Sequence, residues 1–133
     1  MSTIEMIRTH PAGTTSDPGL LARAIDTLTT CAQRCTACAD ACLGEDMVAD
    51  LRRCIRTDLD CADICAVTAR VLSRQTEGDT DLVRSVLQAC IQACATCGAE
   101  CASHADHHEH CRLCAEACRE CEEACRELLA AIG

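Results

Sequence analysis

Sixteen of the 133 residues are cysteine, and their spacing is regular. Cys31, Cys35, Cys38 and Cys42 are separated by steps of 4, 3 and 4, and Cys90, Cys94, Cys97 and Cys101 repeat that pattern. Cys111, Cys114, Cys118, Cys121 and Cys125 step by 3, 4, 3 and 4. Cys54, Cys61 and Cys65 keep the 4-3-4 frame with Asp58 in its second place. Alternating steps of three and four put side chains on one narrow face of an α-helix, the face that meets its partners in a bundle. The thiols therefore stand where such a bundle ordinarily carries leucine. A shared core of soft, polarisable sulfur is suited above all to holding metal.

The segment between two of these rows carries most of the remaining candidate ligands. Four of the five histidines lie in Cys101-Ala-Ser-His104-Ala-Asp-His107-His108-Glu-His110-Cys111. At about 100° per residue, His104 continues the Cys97/Cys101 face and is expected to bind metal beside the thiols. His107 lies one turn before Cys111 on its face, while His108 and His110 are expected to point further to the side. These three are candidate uptake ligands, with a solvated polar turn as the plainer expectation. Met47, expected inward on the first turn of the second helix, is either a soft ligand or core filler.

Four helices must position these groups. Asp17-Pro18 starts the first, with Asp as N-cap and Pro in the first turn, and Gly44 after Leu43 suits a left-handed C-cap. Asp46 is expected to cap a second helix ending near Gln75. A third opens at Asp79 or Thr80 and ends near His104, and Asp106 is expected to cap a fourth ending near Ile132. Connections of roughly two to five residues imply an all-α, up-down-up-down antiparallel four-helix bundle. The expected organisation is an N-terminal tail, 1–16, followed by the cysteine-rich bundle, 17–133. In that topology every cysteine row falls toward one end. Leu21, Ala24, Leu28, Thr68, Val71, Leu72, Val83, Val86, Leu87, Leu128, Leu129 and Ile132 form an aliphatic plug at the other. Val48, Ile55, Leu59, Ala62 and Ala66 make a second apolar stripe on the second helix, suited to a neighbouring helix or to another subunit.

Composition narrows the choice of function. Aromatic content is zero, so binding by ring stacking, including most nucleotide and single-stranded nucleic-acid modes, is excluded. A net charge of −9 leaves no basic patch for nucleic-acid phosphates. No run of about 18 apolar residues suggests a membrane span. The start, MSTIEMIRTHPAG, lacks a signal-peptide core. The expected location is cytoplasmic, where thiols stay reduced and a disulfide scaffold is disfavoured.

Ligand charge separates the candidate metals. Isolated tetrahedral Zn(Cys)4 sites would each place a net charge of about −2 in an apolar tube. Cu(I) accepts two or three thiolates, and bridging sulfurs give near one ion per cysteine, roughly 16 in all, in a nearly neutral array. A zinc or mixed-metal thiolate buffer of metallothionein type is the alternative. A dithiol redox protein is another, although it would need exposed, low-pKa cysteines. The triads Cys31-x3-Cys35-x2-Cys38 and Cys90-x3-Cys94-x2-Cys97 match an iron–sulfur spacing, but heptad geometry already accounts for them. No nucleophilic triad or phosphate loop is recognisable, so binding rather than catalysis is expected.

With cysteines at CxxxC and CxxC spacing on all four helices, over roughly 18–132, the chain resembles the bacterial four-helix-bundle copper storage proteins. Lacking an export signal, it is most similar to their cytosolic branch. The resemblance implies a homotetramer of bundles, each holding multiple Cu(I) ions on its core thiolates, here the sixteen cysteines. Asp58 departs from the thiolate row and is expected to leave a less fully bridged stretch. The copper donor or acceptor protein is not indicated.

Overall fold

The structure is a computed structural model and describes residues 2–132, so Met1 and Gly133, at the outer ends of the two expected segments, lie outside it. It is all-helical, with no strand among the described residues. Four long helices carry the cysteines: α2 (Pro18–Leu43), α3 (Arg52–Ser73), α4 (Thr80–Ala102) and α5 (Glu109–Ile132). They follow a short α1 (Thr3–Arg8).

Local chemistry explains most of these boundaries. Asp17 accepts a hydrogen bond from the Leu20 amide at 2.9 Å, with Pro18 in the first turn of α2. Asp79 accepts from the amides of Asp81 and Leu82 at the start of α4. Gly44 ends α2 with a right-handed φ of −86°, correcting the expected left-handed cap, because a tight turn closes on Ala41 and Cys42 carbonyls instead.

Two expected caps are also corrected. Asp46 does not start a helix: a 3-10 turn, Val48–Leu51, intervenes, preceded by Met47 without a side-chain cap. The tighter turn carries Leu51 into the core, where it is fully buried. Asp106 is not the cap of α5; the amides of Cys111 and Arg112 donate to the carbonyl of His108, so His108 occupies the capping place.

Within the segment 1–16, Ser2 and Glu5 form a reciprocal capping box that opens α1. Ile7 packs on the core. Thr14 Oγ1 donates to Gln75 Oε1 at 2.9 Å, and His10 Nε2 lies 3.2 Å from Thr76 Oγ1. The segment is thereby tied across the ends of α2 and α3.

Each long helix packs on two others, α2 on α3 and α5, and α4 on α3 and α5, so the four enclose one core. One end of that core is aliphatic, with Leu21, Ala24, Leu28, Leu72, Leu87 and Leu128 buried. Burying each large side chain there contributes about 1.5–3 kcal/mol. Val86, expected in this plug, instead lines an outer groove between α3 and α4 with Ile64 and Val67. At mid-length α4 and α5 approach closely: a Cβ on Gly98 would meet Cys118 Cβ at 3.3 Å. By length and composition α4 is apolar enough to cross a membrane, but Cys90, Cys94, Cys97 and Cys101, which supply much of that character, are buried inside the bundle.

Candidate metal centre

All sixteen cysteines are free and buried. The contacts between rows run in opposite residue order. Cys31 Sγ lies 3.8 Å from Cys118, Cys35 is 3.7 Å from Cys114, and Cys38 is 3.9 Å from Cys111. Across α3 and α4, Cys54 pairs with Cys101 at 3.7 Å, Cys61 with Cys94 at 3.9 Å, and Cys65 with Cys90 at 3.7 Å. These distances are far above the roughly 2.05 Å of a disulfide and leave room for a metal ion between sulfurs.

The sulfurs form overlapping groups. Cys38, Cys42, Cys54 and Cys111 have donor atoms within 4.8 Å of one another, as do Cys38, Cys54, Asp58 and Cys101. Further in follow Cys35, Cys97, Cys114 and Cys118, then Cys31, Cys35, Cys61 and Cys118, then Cys31, Cys65, Cys94 and Cys121. Cys31, Cys35, Cys38, Cys54 and Cys118 each belong to two of these groups. Ions held here must share ligands, which suits a bridged thiolate chain and disfavours isolated tetrahedral sites.

Asp58 is part of this array rather than a gap in it. Fully buried, its Oδ1 lies 3.0 Å from Cys97 Sγ, 3.2 Å from Cys114 and 3.3 Å from Cys101, all thiol donors. Burial first, then the nearby Cys114 and Cys97 sulfurs, pushes its carboxyl up to about 12. The heptad frame placed Asp58 on the sulfur face, but nothing in the spacing showed that three helices would meet at its carboxyl.

The histidines are arranged differently from their expected order. His110, expected to the side, brings Nδ1 to 3.3 Å from Cys38 Sγ and 3.6 Å from Cys111 Sγ. Its Nε2 is buried without a hydrogen-bond partner, a cost of about 1–3 kcal/mol when unrelieved. Burial alone would lower this imidazole, but the Cys38 sulfur and the Glu45 carboxylate hold it above its ordinary value. His104, expected beside the thiols, is held by Glu100 Oε2 at 3.0 Å, and Arg53 joins the same carboxylate at 3.1 Å. His107 is exposed. His108 is buried against Glu45 and stacked on His110, ring centroids 5.5 Å apart. Met47 is 51% exposed, not inward. The extrapolation failed because 103–107 form successive turns, so 100° per residue does not carry from α4 into α5.

Electrostatics differ along the sulfur array. Cys38 is drawn down to about 6, chiefly by hydrogen bonding from Cys101, with Cys54 and His110 adding to it against Cys114 and burial. Cys42 and Cys111 are pushed up, first by burial and then by neighbouring sulfurs, Cys54 and Cys38 respectively. A low-pKa thiol thus exists, but it is buried. That placement suits a metal ligand better than an exposed redox nucleophile.

Comparison with known proteins agrees with this geometry. Residues 19–130 match the family described as copper storage protein. The chain is 59% identical to the copper storage protein Ccsp from Streptomyces lividans, solved loaded with 10 copper equivalents; the match covers 98% of this chain and 99% of that one, with a TM-score of 0.96. A structure of copper loading to a cytosolic copper storage protein from Streptomyces lividans, with five coppers, is 63% identical over 86% of this chain and 96% of that one, TM-score 0.86. An uncharacterized cysteine-rich protein of Bacillus subtilis (strain 168), YhjQ, is 36% identical over 87 residues, 65% of this chain and 75% of that protein.

Proposed function

The chain belongs to the copper storage protein family and stores copper, and from that premise we propose how its residues do so. The cargo is Cu(I), held by bridging thiolates of the sixteen core cysteines at about one ion per cysteine. The observation that carries this reading is the sharing of sulfurs between adjacent four-donor groups. Each added Cu(I) displaces about one thiol proton, so the filled array stays near neutral. Its function is binding, not catalysis.

The site residues are Cys31, Cys35, Cys38, Cys42, Cys54, Cys61, Cys65, Cys90, Cys94, Cys97, Cys101, Cys111, Cys114, Cys118, Cys121 and Cys125. His110 is the nitrogen ligand beside the outermost sulfurs, supported by the contacts of its Nδ1 with Cys38 and Cys111. His104, His107, His108 and Met47 are weaker acceptors of incoming ions. The opposed residue order of the sulfur pairs supports the up-down-up-down antiparallel topology. This copper store works in the cytoplasm, as a relative described as cytosolic supports. It assembles as a homo-oligomer, a tetramer by resemblance. The outward apolar face of α3 and α4, with Leu59, Val67 and Leu82 exposed, supports contact with a second copy.

Competition between metals tests this reading. Reduced protein is mixed anaerobically with equal excesses of Cu(I) and Zn(II), then freed of unbound metal on a sizing column. Copper should dominate the retained metal. Retention of about four zinc ions with little copper would replace the bridged array with discrete tetrahedral sites.

A further inference from the structure

Glu45 stands in the connection after α2, directly following Gly44. Its Oε2 lies against Nδ1 of His108, which belongs to the connection between α4 and α5. The same oxygen is 3.6 Å from His110 Nε2, beyond hydrogen-bond reach. One carboxylate therefore joins the two connections at the sulfur end of the bundle. His108 is only 8% exposed, unusual for a side chain between two helices at the surface. Its ring is stacked on His110 with 25° between planes, and His110 in turn touches Cys38 and Cys111.

The backbone at His108 is fixed independently, because its carbonyl accepts from the amides of Cys111 and Arg112 at 3.1 and 3.2 Å. Only the side chain is free to swing. Three contacts hold it over His110: the Glu45 carboxylate, the stacked His110 ring and the edge-on His107 ring, whose centroid is 6.5 Å away. Both rings belong to the same connection as His108 or to the start of α5, so the carboxylate is the contact that ties the ring to the facing connection.

We propose that Glu45 is a positioning residue of the copper entrance, clasping His108 over His110 and thereby setting how fast copper crosses between solvent and the outermost sulfurs. The proposal rests on the copper storage reading. It assigns Glu45 control of rates in both directions and no share in capacity. Crossing requires rotation of one side chain, an event far faster than opening of helices.

The test uses the full chain, reduced and anaerobic, loaded with Cu(I) from a weak chelator and unloaded by excess of a strong one. Glu45→Ala should speed both processes by about five- to tenfold, the effect of losing one charge-assisted contact, at unchanged total copper. Glu45→Gln, whose amide oxygen still accepts from an imidazole N–H, should restore much of the slow behaviour. Asp46→Ala removes the same charge from the adjacent position and should leave both rates unaltered, separating the clasp from general attraction of cations. A purely structural role would change the unfolding midpoint or the capacity without moving the two rates in parallel.

Unchanged rates in Glu45→Ala would overturn the clasp. Slower uptake in Glu45→Ala alone would overturn it too, making the carboxylate a copper ligand. If Glu45→Ala does not fold, Glu45→Leu, which also lacks an acceptor, is read against wild type: rates equal to wild type in both directions overturn the clasp, and a parallel rise supports it. Failure of the wild-type chain to take up copper would overturn the storage reading instead.

Discussion

Cys97 Sγ lies 3.0 Å from Asp58 Oδ1, in the middle of the sulfur core. Burial first, and then the neighbouring Cys114 and Cys97 sulfurs, push Asp58 from its ordinary 3.8 to about 12. Between those two values the folded chain retains a proton that the unfolded chain releases. Stability from this group is therefore complete below about pH 4 and falls as pH rises toward 12. In the reduced, metal-free protein this group's contribution should fall between pH 5 and pH 8, and Asp58→Asn should remove it, so that the variant gains on wild type as pH rises. At pH 8 the variant should be more stable by on the order of 2–4 kcal/mol. Denaturant melts of both proteins at the two pH values check this; parallel slopes would contradict it.

The aliphatic end should carry stability without carrying copper. Leu28 is fully buried among plug residues, and Leu28→Ala should cost about 2–5 kcal/mol in the metal-free protein through lost burial and a cavity. Copper bound per chain should not change at a temperature where the variant is folded. Metal analysis beside a thermal melt separates the two effects.

His110 and His104 should behave differently although both flank the sulfur rows. His110 touches two sulfurs, while His104 is engaged by Glu100. His110→Ala should lower bound copper by about one ion per chain. His104→Ala should leave the total unaltered. Metal content after passage over a sizing column reads both.

Oxidation should remove capacity in pairs. Sulfurs such as Cys65 and Cys94 lie 3.7 Å apart, close enough for a modest shift to bring them to bonding distance. Each disulfide formed by a mild oxidant should remove about two thiolates, and with them about two Cu(I) sites in a one-to-one array. Intact mass, falling by about 2 Da per bond, should track the lost copper, and reduction should restore it.

The helices and their sulfur faces were legible because 4-3-4 spacing admits one structural reading, and because Asp17-Pro18 and Asp79 carry capping chemistry that acts locally. The capping box of Ser2 and Glu5 was equally present in the sequence, as Ser-x-x-Glu, and marks α1 without any tertiary information. Leu51 was not legible: a 3-10 turn forms there because the core draws in a leucine, which no local propensity records. The histidine order failed for a related reason. Between Cys101 and Cys111 the backbone turns repeatedly, and which imidazole reaches Cys38 depends on how α5 starts. Asp58 was visible on the sulfur face, but its three thiol neighbours come from α4 and α5 and are set by packing alone.

The most direct test is an anaerobic titration of the reduced protein with Cu(I) against a competing chelator, followed by sulfur-to-copper charge transfer in the ultraviolet. With no tryptophan or tyrosine in the chain, those bands are unobscured. A shared-thiolate core predicts tight uptake that continues to roughly one copper per cysteine before the signal levels. A break at about four ions would contradict it, since that is the number sixteen cysteines give when each ion holds four unshared sulfurs.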